Sequence, residues 1–126
     1  MYVLGVDFGG GASKATLLEE TGKVVATATS EYKTITVGEN GREQNPEDWY
    51  NATKENIRAV IKKSKIDGKD IAALCFDAAT HTAVLTDENG KPVMNSVYWT
   101  DTRSVKEKKY LEENYGEEIF RKFKHN

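Results

Sequence analysis

The stretch Tyr2-Val-Leu-Gly-Val-Asp-Phe-Gly-Gly-Gly-Ala-Ser-Lys-Ala-Thr-Leu-Leu18 decides the fold. An apolar run ends at Asp7, three glycines follow, and a second apolar run starts after Lys14, a pattern that reads as strand, tight turn, strand. Gly9, Gly10 and Gly11 are expected to take positive φ and to bring bare N–H groups against a ligand. Successive N–H groups in such a turn form an anion-binding concavity. Asp7 then stands at a strand end beside it. A carboxylate next to a phosphate is repulsive unless a cation lies between them, so the arrangement implies a nucleotide with Mg²⁺. The plainer alternative is a hairpin turn, which glycine clusters between apolar runs usually form. Because a strand and not a helix follows Lys14, the stretch is neither a P-loop nor a dinucleotide fingerprint.

Working outward, strands are predicted over residues 2–7, 12–19 and 24–32, with Glu20-Thr-Gly-Lys23 turning between the second and third. Residues 33–45 read as a polar loop. A helix follows, with Asn45 as cap, Pro46 at its first position and Glu47 and Asp48 at its positive end. Its apolar stripe is Trp49, Ala52, Ile57, Val60 and Ile61, which assigns Trp49 to the core. Residues 71–76 are continuously apolar and read as a strand buried on both faces, as in a parallel sheet. Asp87-Glu-Asn-Gly90 reads as a hairpin turn, and residues 95–99 as a short strand whose Trp99 is assigned to core packing. A helix capped by Ser104 is predicted to about residue 114. Gly116 breaks it, and a further helix covers residues 117–122. The order β-β-β-α-β-hairpin-α predicts an α/β domain: a mixed sheet of three antiparallel strands extended by a parallel strand after a crossover helix, with flanking helices. Placing 71–76 beside 2–7 brings Asp77 close to Asp7 at the C-terminal strand ends, the edge where α/β sheets bind ligands.

The chain has 126 residues, enough for one domain with its own core. A net charge of −2 argues against a nucleic-acid or membrane surface. The single Cys75 excludes an internal disulfide, fits a reducing compartment, and within its apolar run reads as a buried structural thiol. Asp7 interrupts the first apolar stretch and no basic segment precedes it, so no signal peptide is expected. No stretch approaches membrane-spanning length, and a cytoplasmic location is expected. His125 lies near the end, and no Cys/His spacing suggests a metal site.

Four stretches carry a resemblance. Val6-Asp-Phe-Gly-Gly-Gly-Ala-Ser-Lys14, Gln44-Asn-Pro-Glu-Asp-Trp-Tyr50, Ala78-Ala-Thr-His81 and Trp99-Thr-Asp-Thr-Arg103 resemble, in order and spacing, segments of the N-terminal domain of FGGY carbohydrate kinases, xylulose kinases above all. The resemblance implies the ribonuclease H-like, actin-like ATPase fold and transfer of the γ-phosphate of ATP to a sugar or polyol hydroxyl. It implies ATP and Mg²⁺ as cofactors. Asp7 would organise Mg²⁺ through water, and Gly9, Gly10, Gly11, Ser13 and Lys14 would hold nucleotide phosphates. Thr80, His81, Asp101 and Arg103 would form the sugar side. Asp77 stands where the family commonly has Ser and adds a second carboxylate for metal. Ala79 and Thr80 replace the Gln and Met of xylulose kinases and leave the sugar undecided. Residue by residue, plainer readings stand beside these: a solvated lysine for Lys14, a satisfied histidine for His81, and a local ion pair for Asp101 and Arg103.

Family kinases are several times longer, with a second domain that supplies the adenine pocket and the catalytic base. Residues 1–126 are therefore expected to be a truncated N-terminal domain, inactive alone, whose partners are the sugar substrate and the missing C-terminal domain. Its open cleft face would leave room for a homodimer, and neither nucleic acid nor membrane is expected as a partner. Two further readings remain open: a ribonuclease H-like nuclease using Asp7 and Asp77 with metal ions, and a folded fragment without catalysis.

Overall fold

The computed structural model describes residues 1–123, so His125 lies outside the described residues. Three strands, β1 (Tyr2–Phe8), β2 (Ala12–Glu19) and β3 (Val24–Glu31), form an antiparallel meander, and β6 (Ile71–Ala78) adds in parallel to β1, giving the order β3-β2-β1-β6. This is the mixed sheet predicted from the sequence. The turn before β3 has Gly22 at φ +85°, which glycine adopts without steric penalty.

Helix α1 (Pro46–Ser64) begins and ends as its sequence dictates. The Asn45 side chain accepts a hydrogen bond from the Glu47 N–H, acidic residues occupy the first turn, and Lys62 and Lys63 the last. Lys65, at φ 57°, closes the helix by donating its N–H to the Ile61 carbonyl. Leu4, Val6, Ala15, Leu17, Ala28 and Val60 form the core where α1 lies on β2 and β3. Polar groups share that face. Asn56, only 2% exposed, donates to the Ser13 carbonyl at 2.7 Å and accepts from the Ser30 hydroxyl at 2.8 Å. One α1 side chain thus pins two neighbouring strands.

Several expectations change. The predicted polar loop 33–45 contains two short strands, β4 (Ile35–Val37) and β5 (Gly41–Gln44), which join β7 (Ser96–Val97) in a second sheet. β6 is not buried on both faces: Leu74 is 48% and Phe76 55% exposed, and Cys75 is exposed as well. The reason is geometric, since β6 is an edge strand and α1 covers β2 and β3 without reaching it. Trp99 is likewise exposed and not part of the core. The last helix is single: α2 (Val105–Lys122) runs through Gly116, and Ser104 makes no side-chain cap. One interior glycine costs a helix only about 1 kcal/mol, too little to break five turns.

Two stability predictions follow from this packing. A Cβ at Gly116 meets nothing within 4 Å, so Gly116→Ala should stabilise the helix by about 0.5–1 kcal/mol; reduced helicity on circular dichroism would restore the break. Asn56→Ala removes the side-chain bonds to the Ser13 carbonyl and the Ser30 hydroxyl and should cost about 1–3 kcal/mol in urea unfolding.

Candidate functional site

The side chains of β1 and β2 alternate between two faces. Leu4, Val6, Ala15 and Leu17 face α1, which leaves Asp7 and Lys14 on the opposite face. Asp7 is paired across β2 with Lys14 and across β6 with Asp77, so three charged side chains form a row over three adjacent strands. All three are exposed and border one shallow depression of about 270 Å³. Lys14 thus sits with the carboxylates. Asp77 also accepts from the Ala78 N–H at 2.8 Å, which steadies the carboxylate at the strand end.

The glycine turn links β1 to β2 beside this row. Gly9 donates its N–H to the Ala12 carbonyl at 3.0 Å, which closes the turn on itself. None of Gly9, Gly10 and Gly11 has the positive φ expected of them. Gly10 is crowded for a different reason: a Cβ there would meet the Tyr98 hydroxyl, so a side chain at this position requires Tyr98 to shift. The turn carbonyls all have protein donors. Tyr32 donates its hydroxyl to Gly9 and its backbone N–H to Gly11 at 3.0 Å, and the Gln44 amide donates to Gly10 at 2.7 Å. Among the described residues the N–H groups of Gly10 and Gly11 have no acceptor. The Ser13 hydroxyl, expected in the phosphate cradle, is instead fully buried on the α1 face, 3.0 Å from Thr53 Oγ1. Strand alternation turns it away from the turn.

The segment after β6 meets the same end of the sheet. Ala79 donates its N–H to the Phe8 carbonyl at 2.9 Å, so residues 78–81 leave beside the turn. His81 is exposed, has φ +59°, and its Nδ1 lies 2.9 Å from Thr80 Oγ1. Behind the turn a cavity of about 220 Å³ is bounded by Tyr32, Gln44, Trp49, Ala79 and Tyr98. Trp49 is half-buried, with its indole N–H on Gln44 Oε1 at 3.1 Å.

Asp101 and Arg103 are engaged with each other. Asp101 Oδ2 accepts from Arg103 Nε at 2.8 Å and from the Arg42 N–H at 2.7 Å, and Arg103 also reaches Glu43 Oε1 at 2.8 Å. The cluster fastens β5 to the chain leaving β7. Hydrogen bonding from Arg103, then from the backbone of Arg42 and Arg103, pulls the Asp101 carboxyl down to about 2. Bonds from Asn95 and Arg103 lower the Glu43 carboxyl, and its two acidic partners raise Arg103.

Two hard carboxylates at the strand ends suit Mg²⁺, which binds protein through one or two carboxylates and takes water and substrate phosphates for the rest. Among the described residues no group of three or more acidic, His or Cys side chains could form a complete cage. Sequence reasoning missed Tyr32 and Tyr98 as turn contacts and saw Gln44 only as part of a motif. The signal for Gln44 was its place just before a capped helix.

The chain matches the N-terminal domain of the FGGY family of carbohydrate kinases over residues 2–125. It is 32% identical over 118 residues to a xylulose kinase of Bacillus subtilis (strain 168), covering 94% of this chain and 24% of that protein. A glycerol kinase of Paenarthrobacter aurescens (strain TC1) is also 32% identical, over 121 residues, with 95% and 24% covered. The ligand-bound xylulose kinase from Lactobacillus acidophilus superposes with a TM-score of 0.85 at 27% identity, over 95% of this chain and 24% of that one. The chain therefore spans about a quarter of the length of these relatives, and its fold is that of their actin-like ATPase domains.

The Asp101 cluster has a pH signature. Its carboxyl lies below the ordinary 3.8 in the folded chain, so its contribution to stability is complete above that value and is lost as pH falls through about 2. Carboxyl-carbon NMR should give an Asp101 midpoint near 2, moving toward the ordinary range in Arg103→Gln. An ordinary midpoint in the unaltered chain would show that the cluster is open in solution.

Proposed function

This chain belongs to the FGGY family of carbohydrate kinases, as its N-terminal domain, and from that premise we propose that it forms the phosphate-binding half of an ATP-dependent sugar kinase. One observation carries the reading. Two unsatisfied N–H groups, at Gly10 and Gly11, stand in a turn held open at the end of the row Asp7, Lys14 and Asp77. Such a pairing of bare N–H groups with a cation and carboxylates suits a metal-bound polyphosphate.

Phosphoryl transfer asks mainly for alignment and charge neutralisation. The Gly10 and Gly11 N–H groups would donate to phosphate oxygens, with Gly9 shaping the turn, and the Lys14 ammonium would offset phosphate charge. Asp7, with Asp77 beside it, would hold Mg²⁺ through water; the ion when bound supplies charge neutralisation at the phosphates. Thr80 and His81 would present hydroxyl and imidazole groups to sugar hydroxyls. Asp101 and Arg103, held to each other and to Glu43, would shape the rim of the sugar side.

A complete kinase needs an adenine pocket and a base for the sugar hydroxyl, which we assign to a C-terminal domain beyond residues 1–126. A cytoplasmic setting is in keeping with the single, unpaired Cys75. The nuclease alternative rests on Asp7 and Asp77 alone, and neither the family match nor the relatives described above support it.

In the intact kinase Asp7→Ala should lower kcat by about 10²–10³-fold with a smaller effect on sugar KM, because its charge acts where transition-state charge builds. A near-normal kcat would remove Asp7 from the machinery. His81→Ala should act on sugar KM or sugar preference, and unchanged kinetics across pentoses, ketoses and polyols would make it structural. The chain alone should release no ADP in a sugar-dependent manner, because half a cleft cannot hold both reactants in line.

A further inference from the structure

The carbonyl and N–H of one trans peptide point in opposite directions within one plane. Fixing the Gly9 carbonyl therefore fixes the Gly10 N–H, and fixing the Gly10 carbonyl fixes the Gly11 N–H. The groups that grip these carbonyls are Tyr32 Oη on Gly9 and Gln44 Nε2 on Gly10. We propose that Tyr32 and Gln44 are positioning residues for phosphate binding, holding two glycine carbonyls inward so that the paired N–H groups of Gly10 and Gly11 face the cleft. The functional part of this inference rests on the reading of the turn as a phosphate site.

Gln44 is built for one orientation. It is 2% exposed, and its amide nitrogen also lies 2.9 Å from Thr34 Oγ1. Its oxygen accepts from the Trp49 indole, which can only donate. Turning the amide over would set an NH₂ against the indole N–H and an oxygen against the Gly10 carbonyl. Trp49, at the start of α1, thus decides which end of Gln44 meets the turn. Tyr32 grips twice, through its hydroxyl on Gly9 and through its backbone N–H on Gly11. Burial first, then the charge of Asp7 and the neighbouring Tyr98, raise the Tyr32 phenol to about 12, so it stays a donor through neutral pH. Three successive glycines have no side chains to hold their peptide planes, so without these donors the planes are free to rotate. Tyr98 closes over Gly10, so a side chain there would displace its hydroxyl.

The test uses this chain labelled with ¹⁵N, with Mg·ADP at millimolar concentration as the probe. Tyr32→Phe removes one hydroxyl and keeps the ring; Gln44→Met keeps the length and removes the amide. Asn56→Ala is the control, since it weakens the fold from the α1 face and Asn56 makes no bond to Gly9, Gly10 or Gly11. Without ligand, the Gly10 and Gly11 amide signals should move or broaden in Tyr32→Phe and Gln44→Met and stay in place in Asn56→Ala. Unmoved amides in Tyr32→Phe overturn the proposal, even if Gln44→Met fails to fold. With Mg·ADP, the shifts at these two amides should shrink about five-fold or more in the turn variants, as expected when charge-assisted donors lose their aim. If the unaltered chain shows no Mg·ADP response at Gly10 and Gly11 while the ligand-free amides move as expected, the phosphate reading fails and the structural clamp stands. In the intact kinase, Tyr32→Phe should raise the KM for ATP and leave the KM for sugar unchanged; a rise in sugar KM alone would overturn the assignment to the phosphate side.

Discussion

The arrangement of the site depends on the register between β1 and β6. The two strands start in phase at Tyr2 and Ile71, but Val3 is paired with Ala73, so one extra residue of β6 is absorbed at the outset. Everything beyond that irregularity is shifted by one. Without it Asp7 would stand opposite Phe76, and Asp77 would turn to the α1 face, because a single-residue slip exchanges the two faces of a strand. With it, Asp7 and Asp77 stand side by side, and Ala79 leaves the sheet against the Phe8 carbonyl. A small bulge at the start of a strand thereby fixes the chemistry at its end.

The same register explains why an apolar strand lies open. Leu74 and Phe76 share the face of Leu4 and Val6, which is the face α1 covers, yet α1 is centred two strands away. Phe76 finds Phe8 at a ring separation of 5.7 Å, and among the described residues this is its aromatic neighbour. The exposure of β6 is thus a matter of where the helix lies and not of which way the side chains point.

Much of this was legible in the sequence, and the misses have physical causes. β1, β2, β3 and β6 are seven or eight residues long and set off by turns or a helix, and α1 carries its own apolar stripe, cap and charge signals. β4 and β5 have three and four residues, too few to show a period. The all-apolar 71–76 run was read as doubly buried because composition reports what a strand tolerates, not which helix reaches it. The glycines do form a turn, but close approach by Tyr98, and not positive φ, is what crowds Gly10. Such a constraint comes from a residue 88 positions away in sequence, beyond the reach of any local pattern. Ser13 was placed in the cradle by its neighbours, whereas strand phase sends its hydroxyl to Thr53.

The two halves of the proposed site are built to different tolerances. On the phosphate side each turn carbonyl is held by a donor, Gln44 has one permitted orientation, and a side chain at Gly10 would displace Tyr98. A change there disturbs several contacts at once. On the sugar side Thr80 and His81 are exposed, and the contact their side chains make is with each other. A substitution in that segment alters what a ligand meets without disturbing the core. The departure at Thr80 from the xylulose kinase pattern falls in this freer half, while Ala79 borders the cavity behind the turn. A xylulose kinase and a glycerol kinase match this chain at the same 32% identity. Similarity across this domain therefore reports the shared scaffold, while the choice of sugar, under the proposed reading, rests on the few exposed residues that follow β6 and on whatever the rest of the kinase places opposite them.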